Sequence, residues 1–148
     1  MNQPIQKLLP PDFAEATDVW EASVRATHDF LREEDIQKMK PLVRDEYLHL
    51  VTLFGIRDAD GRITGFIGVA GNKIEMLFIH PDARGRGIGK RLLEFATGPL
   101  GADEVDVNEQ NAQAVGFYLH AGFKVTGRSE LDGQGQPFPL LHLKRTGN

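Results

Sequence analysis

Cysteine is absent from this chain. Disulfides, Cys-ligated zinc and a thiol nucleophile are therefore excluded. Aromatic residues are scarce: one Trp, two Tyr and nine Phe. Only Tyr47 and Tyr118 can offer a phenol. No apolar run approaches the ~18 residues of a membrane span, so no membrane partner is expected. The first residues carry neither a basic n-region nor an apolar h-region, so no signal peptide is expected and the cytoplasm is the expected compartment. Excess positive charge is missing too. Lys and Arg number 17 against 21 Asp and Glu, a net charge of −4. A general nucleic-acid binder is usually basic, so no nucleic-acid partner is expected. The five histidines show no metal-ligand spacing, and no metal is expected.

What is present is ordinary for a globular protein: 148 residues, 41% hydrophobic and 26% charged. That length suggests one domain over residues 1–148, burying roughly 70% of its unfolded surface. No linker, repeat or low-complexity tract interrupts it. Ile5–Leu8 reads as a short strand broken by Pro10-Pro11. Asp12, with Glu15 three residues on, reads as an N-cap. Phe13, Ala16, Thr17, Trp20 and Val24 then share a helical face. A second helix is predicted over Glu33–Val43, with Pro41 bending or splitting it.

Strands are predicted at Val51–Arg57, Ile63–Ala70 and Lys73–Ile79, with turns at Asp60-Gly61 and Gly71-Asn72. A helix starts near Gly87 and stops at Gly98-Pro99. A short strand Glu104–Val107 precedes a helix Asn111–Ala121, with Gly122 following as its C′ residue. Strands Phe123–Leu131 and Phe138–Lys144 close the chain through Asp132-Gly133-Gln134-Gly135. The order β-α-α-β-β-β-α-β-α-β-β makes an α/β fold in the mixed-sheet (α+β) sense, largely antiparallel and flanked by helices.

The segment Arg84-Gly85-Arg86-Gly87-Ile88-Gly89 falls between a predicted strand and a predicted helix. A helix N-terminus exposes unpaired N–H groups and partial positive charge, and glycines let an anion approach them. Arg84, Arg86, Lys90 and Arg91 add cationic charge. A Walker A loop fails here: Gly89-Lys90 is followed by Arg91, and Arg84 stands where its first Gly belongs. The dinucleotide pattern Gly-x-Gly-x-x-Gly fails at Lys90. A solvated basic helix start is the plain alternative.

The pattern Arg/Gln-x-x-Gly-x-Gly/Ala does fit, at Arg84, Gly87 and Gly89. Preceded by Leu77-Phe78-Ile79-His80-Pro81, it resembles the cofactor signature of the GNAT N-acetyltransferase superfamily. Downstream, Asn108-Glu109-Gln110-Asn111, then Ala114-Val115-Gly116-Phe117-Tyr118, then Gly122-Phe123 resemble that family's second signature. Thr27–Leu31 and Gly127–Glu130 look like its bacterial YjaB-type branch. The resemblance implies acetyl-CoA as cofactor, with CoA released. It implies that Leu77, Phe78 and Ile79 offer backbone groups to the pantetheine arm. It also implies that this strand splays from Glu104–Val107, and that Arg84, Gly85, Arg86, Gly87, Ile88, Gly89 and Lys90 hold the pyrophosphate. Asn111 would contact pantetheine or seat the last helix, Asn108 would lie with the cofactor contacts, and Tyr118 would lie near the sulfur.

Acyl transfer from a thioester expels a thiolate, and a Tyr hydroxyl is a competent donor to it. Tyr118 is the candidate; core packing is the alternative. An attacking ammonium must lose a proton. Glu75, two residues before Leu77 and so expected on its face of the strand, is one candidate base; a surface strand charge is the alternative. His28, between the first two helices, is the other candidate, with an ordinary pKa near 6.5; a polar loop histidine is its alternative. Asn108 and Glu109 are placed to orient the acceptor or carbonyl. His49, His80, His120 and His142 receive no role. Without cysteine, direct attack of a primary amine in a ternary complex is the simplest route. The alternatives are a CoA-binding sensor domain without turnover and a nucleotide enzyme of another class. The resemblance implies a small-molecule or peptide amine as acceptor, with cationic ones weakly favoured by the acidic balance. A homodimer would pair through the C-terminal strands.

Overall fold

The computed structural model describes residues 3–133 and 135–146. Helix α1 (Phe13–Thr27) forms because Phe13, Ala16, Thr17, Trp20 and Val24 bury along one face. Thr17 and Thr27 hydroxyls donate back to carbonyls four residues earlier, each at 2.8 Å. The expected N-cap bond does not form. Asp12 stands at the cap position, but its carboxylate accepts from the Leu9 amide at 2.9 Å and from Arg57 at 2.8 Å. Glu15 accepts from the Ile63 amide at 2.8 Å and from Arg57 at 3.1 Å. A guanidinium and a strand amide outcompete the helix's own N–H groups, and so tie the helix start to the sheet.

Helix α2 (Glu33–Asp45) runs through Pro41 and two residues past the predicted end. The missing donor costs about 3 kcal/mol. Burial of Ile36 and Val43 in the α1 core offsets it.

The strands are β1 (Ile5–Lys7), β2 (Thr52–Arg57), β3 (Ile63–Ala70), β4 (Lys73–Ile79), β5 (Glu104–Asn108), β6 (Phe123–Ser129) and β7 (Leu140–Arg145). Helices α3 (Ile88–Thr97) and α4 (Ala112–His120) flank β5 in sequence. One seven-stranded sheet runs in the order β1-β2-β3-β4-β5-β7-β6, and only the β4–β5 pair is parallel. The mixed, largely antiparallel sheet expected from the sequence is thus the one present.

Helices α1 and α2 cover one face, with Trp20, Leu48, Leu53 and Phe66 in the core. Helices α3 and α4 cover the other, with Ile67, Leu92, Val105 and Phe123. β3 is buried from Ile63 through Val69 because both of its faces are covered. Gly65 permits this: a Cβ there would stand 2.7 Å from Ile79 Cδ1 and 3.0 Å from Ile88 Cγ2.

The last hairpin is shorter than predicted. Leu131 and Phe138 lie in its connection, not in strands. Asp132 organises that connection by accepting from the Gln136 amide through its side chain at 2.9 Å and from the Gly135 amide through its carbonyl at 3.0 Å. Gln134, part of the predicted turn, lies outside the described residues. Among the described residues no helix is long and apolar enough to cross a membrane.

Candidate active site

β4 and β5 pair only at Lys73 with Glu104 and Ile74 with Val105. Beyond Ile74 they part, and a cavity of about 410 Å³ opens between them. Leu77, Phe78 and Ile79 line it from β4, and Asp106 and Asn108 from β5. Main-chain groups on the open side of β4 have no neighbouring strand there, so they are available to an extended ligand.

A bulge sits at the mouth of this wedge. Gly68 pairs with Met76, and Val69 pairs with Ile74, leaving Glu75 as the extra residue. The alternation argument for Glu75 therefore fails. Ile74 and Leu77, three apart, share the α3–α4 core, while Met76 and Phe78 pack on the α1 side. Glu75 is instead an exposed carboxylate that lines the cavity and has no hydrogen-bond or ion-pair partner among the described residues.

The glycine-rich loop opens the other end. Gly85 (φ 79°) and Gly87 (φ 77°) are left-handed, and Gly87 is the N-cap of α3. Open space surrounds the Cβ position of each. The Arg91 amide takes the first bond into the helix, to the Gly87 carbonyl at 3.0 Å. The six amides of Gly85–Lys90 have no acceptor among the described residues. Six such donors at a helix N-terminus suit an anion. Arg84 and Lys90 line the cavity with Gly85, Gly87, Ile88 and Gly89. Arg86 is exposed and outside the lining. Arg91 turns away, donating to the Gln3 carbonyl at 2.7 Å, so it adds nothing to the anion site.

Tyr118 is 5% exposed, with its ring edge-on to Phe117 and Phe123 at 5.2 and 5.5 Å. It lines the cavity, and its hydroxyl has no hydrogen-bond partner among the described residues. Burial pushes the hydroxyl above its ordinary value of 10.0, so it remains a proton donor at neutral pH. Asn111 caps α4, accepting from the Ala114 amide at 3.2 Å. Asn108 accepts from the Gln110 amide at 3.0 Å, and both Asn side chains line the cavity. Glu109 does not. It is bound by Arg128 at 2.6 and 3.0 Å, away from the lining, so it is not placed to orient an acceptor.

His28 ends α1 and lines the cavity, with Nδ1 2.8 Å from the Thr27 hydroxyl. Burial, then the charge of Arg84, pull its imidazole down to about 4, with Asp29 opposing. It is neutral at neutral pH, but too weakly basic for the pKa near 6.5 on which the sequence argument relied.

Sequence reasoning missed a second carboxylate. Asp106 lines the cavity and accepts from Lys73 at 2.6 Å and from His142 Nδ1 at 2.7 Å; His142 Nε2 is 2.7 Å from Ser129 Oγ. Burial raises the Asp106 carboxyl, but Lys73 and His142 outweigh that and hold it below the usual range. The signal was partly visible: Val105 and Val107 alternate with Asp106 and Asn108, which puts the polar pair on one face. The pairing of Asp106 with His142 is a β5–β7 register fact.

A family model described as "Acetyltransferase (GNAT) domain" matches residues 16–139. The chain is 46% identical over 125 residues to "Peptidyl-lysine N-acetyltransferase YjaB" of Salmonella typhimurium, covering 84% of this chain and 86% of that one. The solution structure of apo-form YjaB from Escherichia coli superposes with a TM-score of 0.88 at 40% identity, covering 100% of both chains. The PaiA N-acetyltransferase of Thermoplasma acidophilum, solved in complex with coenzyme A, superposes with a TM-score of 0.75 at 25% identity, covering 99% of this chain and 100% of that one.

Proposed function

The chain belongs to the GNAT acetyltransferase family and is an acyltransferase, and from that premise we propose that it moves the acetyl group of acetyl-CoA to the side-chain amine of a lysine in a polypeptide. The relatives' names support a lysine acceptor. The observation that carries the donor is the run of six unpartnered amides, Gly85–Lys90, opening onto the same cavity as the Tyr118 hydroxyl. The room at Gly85 and Gly87 and the cavity itself fit a pyrophosphate with a pantetheine arm. The sensor alternative has no support from relatives named as transferases.

In this reading Gly85–Lys90 amides, with Arg84 and Lys90, hold the pyrophosphate. The open edge of Leu77–Ile79 and the Asn108 and Asn111 side chains hold the arm. Bound acetyl-CoA supplies the acetyl thioester and leaves as CoA. Tyr118 gives its hydroxyl proton to the departing sulfur, and burial keeps that proton in place until then. Glu75 and Asp106 face the incoming ammonium with negative charge, and its proton leaves by a carboxylate or by water. His28 serves as a neutral wall of the acceptor side. Transfer is direct, in a ternary complex.

A thiol-release assay with acetyl-CoA and lysine peptides tests the reading, paired with calorimetric titration of CoA. Turnover with CoA as a product inhibitor is expected. Failure to bind CoA at high micromolar concentration would sink it.

A further inference from the structure

A second cavity, also of about 410 Å³, lies beside the first, lined by Tyr47, Leu50, Val51, Ala70, Glu75 and Met76. Glu75 and Met76 are common to both cavities, so one side chain's thickness separates them. Its walls are mainly apolar. Leu50 is 73% exposed, the most exposed large hydrophobic residue among the described residues. Solvent-exposed Leu is common singly, but here Leu50 lines a concavity with Val51 and Met76.

The surroundings are acidic. Glu75 stands at the junction without an ion-pair partner among the described residues. Glu46 and Asp132 lie close enough to Tyr47 to raise its hydroxyl, after burial, above the ordinary value. Lys73, whose ammonium the charge of Glu75 reaches, is committed to Asp106 at 2.6 Å. An apolar seat with a negative surround, adjoining the cavity proposed for acyl transfer, complements a positively charged chain that carries an apolar side chain.

We propose that this cavity binds a large apolar side chain of the acceptor polypeptide, close in sequence to the lysine whose ammonium meets Glu75. An extended chain advances about 3.3 Å per residue, and side chains two apart share a side. The apolar residue is therefore expected within about two positions of the lysine. The inference rests on the lysine-acceptor reading above. It adds a sequence preference that the donor site cannot supply.

The test uses the full chain, acetyl-CoA and peptides with one central lysine, in which Leu or Ala occupies each position up to three residues away. Nα-acetyl-lysine amide serves as a bare acceptor. At one position Leu should raise kcat/KM over Ala about tenfold, mainly through KM, the size expected for partial burial of one Leu side chain. In Leu50→Asp that ratio should collapse toward one, and in Leu50→Ala it should fall part of the way. Far-ultraviolet circular dichroism checks the fold of both variants. Equal kcat/KM for all Leu and Ala peptides would overturn the inference, as would a Leu preference that survives Leu50→Asp. A preference for free aliphatic amines over lysine peptides would put a small molecule in the seat and overturn it too. Transfer to the bare acceptor with no positional preference removes this inference alone. No transfer to any lysine compound removes the acceptor reading and this inference with it.

Discussion

The two ends of the cavity are built on different principles. The end proposed for the donor is backbone: a run of amides from consecutive residues at one helix start, with two glycines in a left-handed conformation. The end proposed for the acceptor is side chains from distant segments: His28 after α1, Glu75 on the β4 bulge, and Asp106 on β5, the last held from behind the lining by His142 of β7. Backbone amides bind any phosphate-bearing ligand of the right reach and carry no residue code. Side chains from separate elements can vary independently. On the proposed function this is a division of labour: a local module would grip the shared donor, and a non-local ring would select the acceptor.

Substitutions can break that division, and the largest effect belongs where the two ends meet. Tyr118→Phe should lower kcat about 100-fold or more, the usual worth of a positioned acid, while CoA affinity by calorimetry stays nearly unchanged. Equal loss in both quantities would make Tyr118 a packing residue. Next is Gly87→Glu at the donor end. It forces a side chain into φ 77° and sets a carboxylate among the amides. CoA affinity should fall on the order of 100-fold, with kcat at saturation largely kept. Normal affinity would mean the amide run is not the anion site.

At the acceptor end, Asp106→Asn should raise the acceptor KM roughly tenfold, the worth of a hydrogen bond to a charged group, and leave CoA binding alone. An unchanged KM would remove Asp106 from the ring. The smallest effect concerns pH. The His28 imidazole falls from 6.5 unfolded to about 4 folded. The unfolded chain therefore takes up its proton first as pH drops. Stability is full above about 6.5 and is lost as pH falls toward 4, by roughly 1–2 kcal/mol once partial solvent access is discounted. Melting curves between pH 7 and pH 4.5 should show His28→Gln losing less than the native chain. Parallel curves would show that burial does not hold His28 neutral.

How far the site could be read in advance follows the same line. The Arg84–Gly89 loop, its place between strand and helix, and Asn111 as the start of α4 were legible because each depends on neighbours in sequence. Arg91 was misread: charge near a loop does not say which way a long side chain turns, and a distant carbonyl of Gln3 decided it. Glu75 was chosen by strict alternation, which one inserted residue at the bulge cancels. Glu109 was drawn away by Arg128. The Asp12 and Glu15 carboxylates were read as capping groups, but Arg57 and the Ile63 amide hold them. Glu75 apart, each miss is a competition for a polar side chain that a partner far along the chain won.

Sequence alone determined the element order, the glycine-rich loop at the start of α3 and the family resemblance. These rest on local rules: hydrophobic period, turn residues, and glycine where φ is positive. Only the tertiary structure decided that β4 and β5 part after two residue pairs, that Glu75 stands at a bulge without a hydrogen-bond or ion-pair partner among the described residues, and that Asp106 is gripped by Lys73 and His142. The physical reason is that strand register and ion pairing join residues tens of positions apart, and no local pattern encodes which partner is nearest.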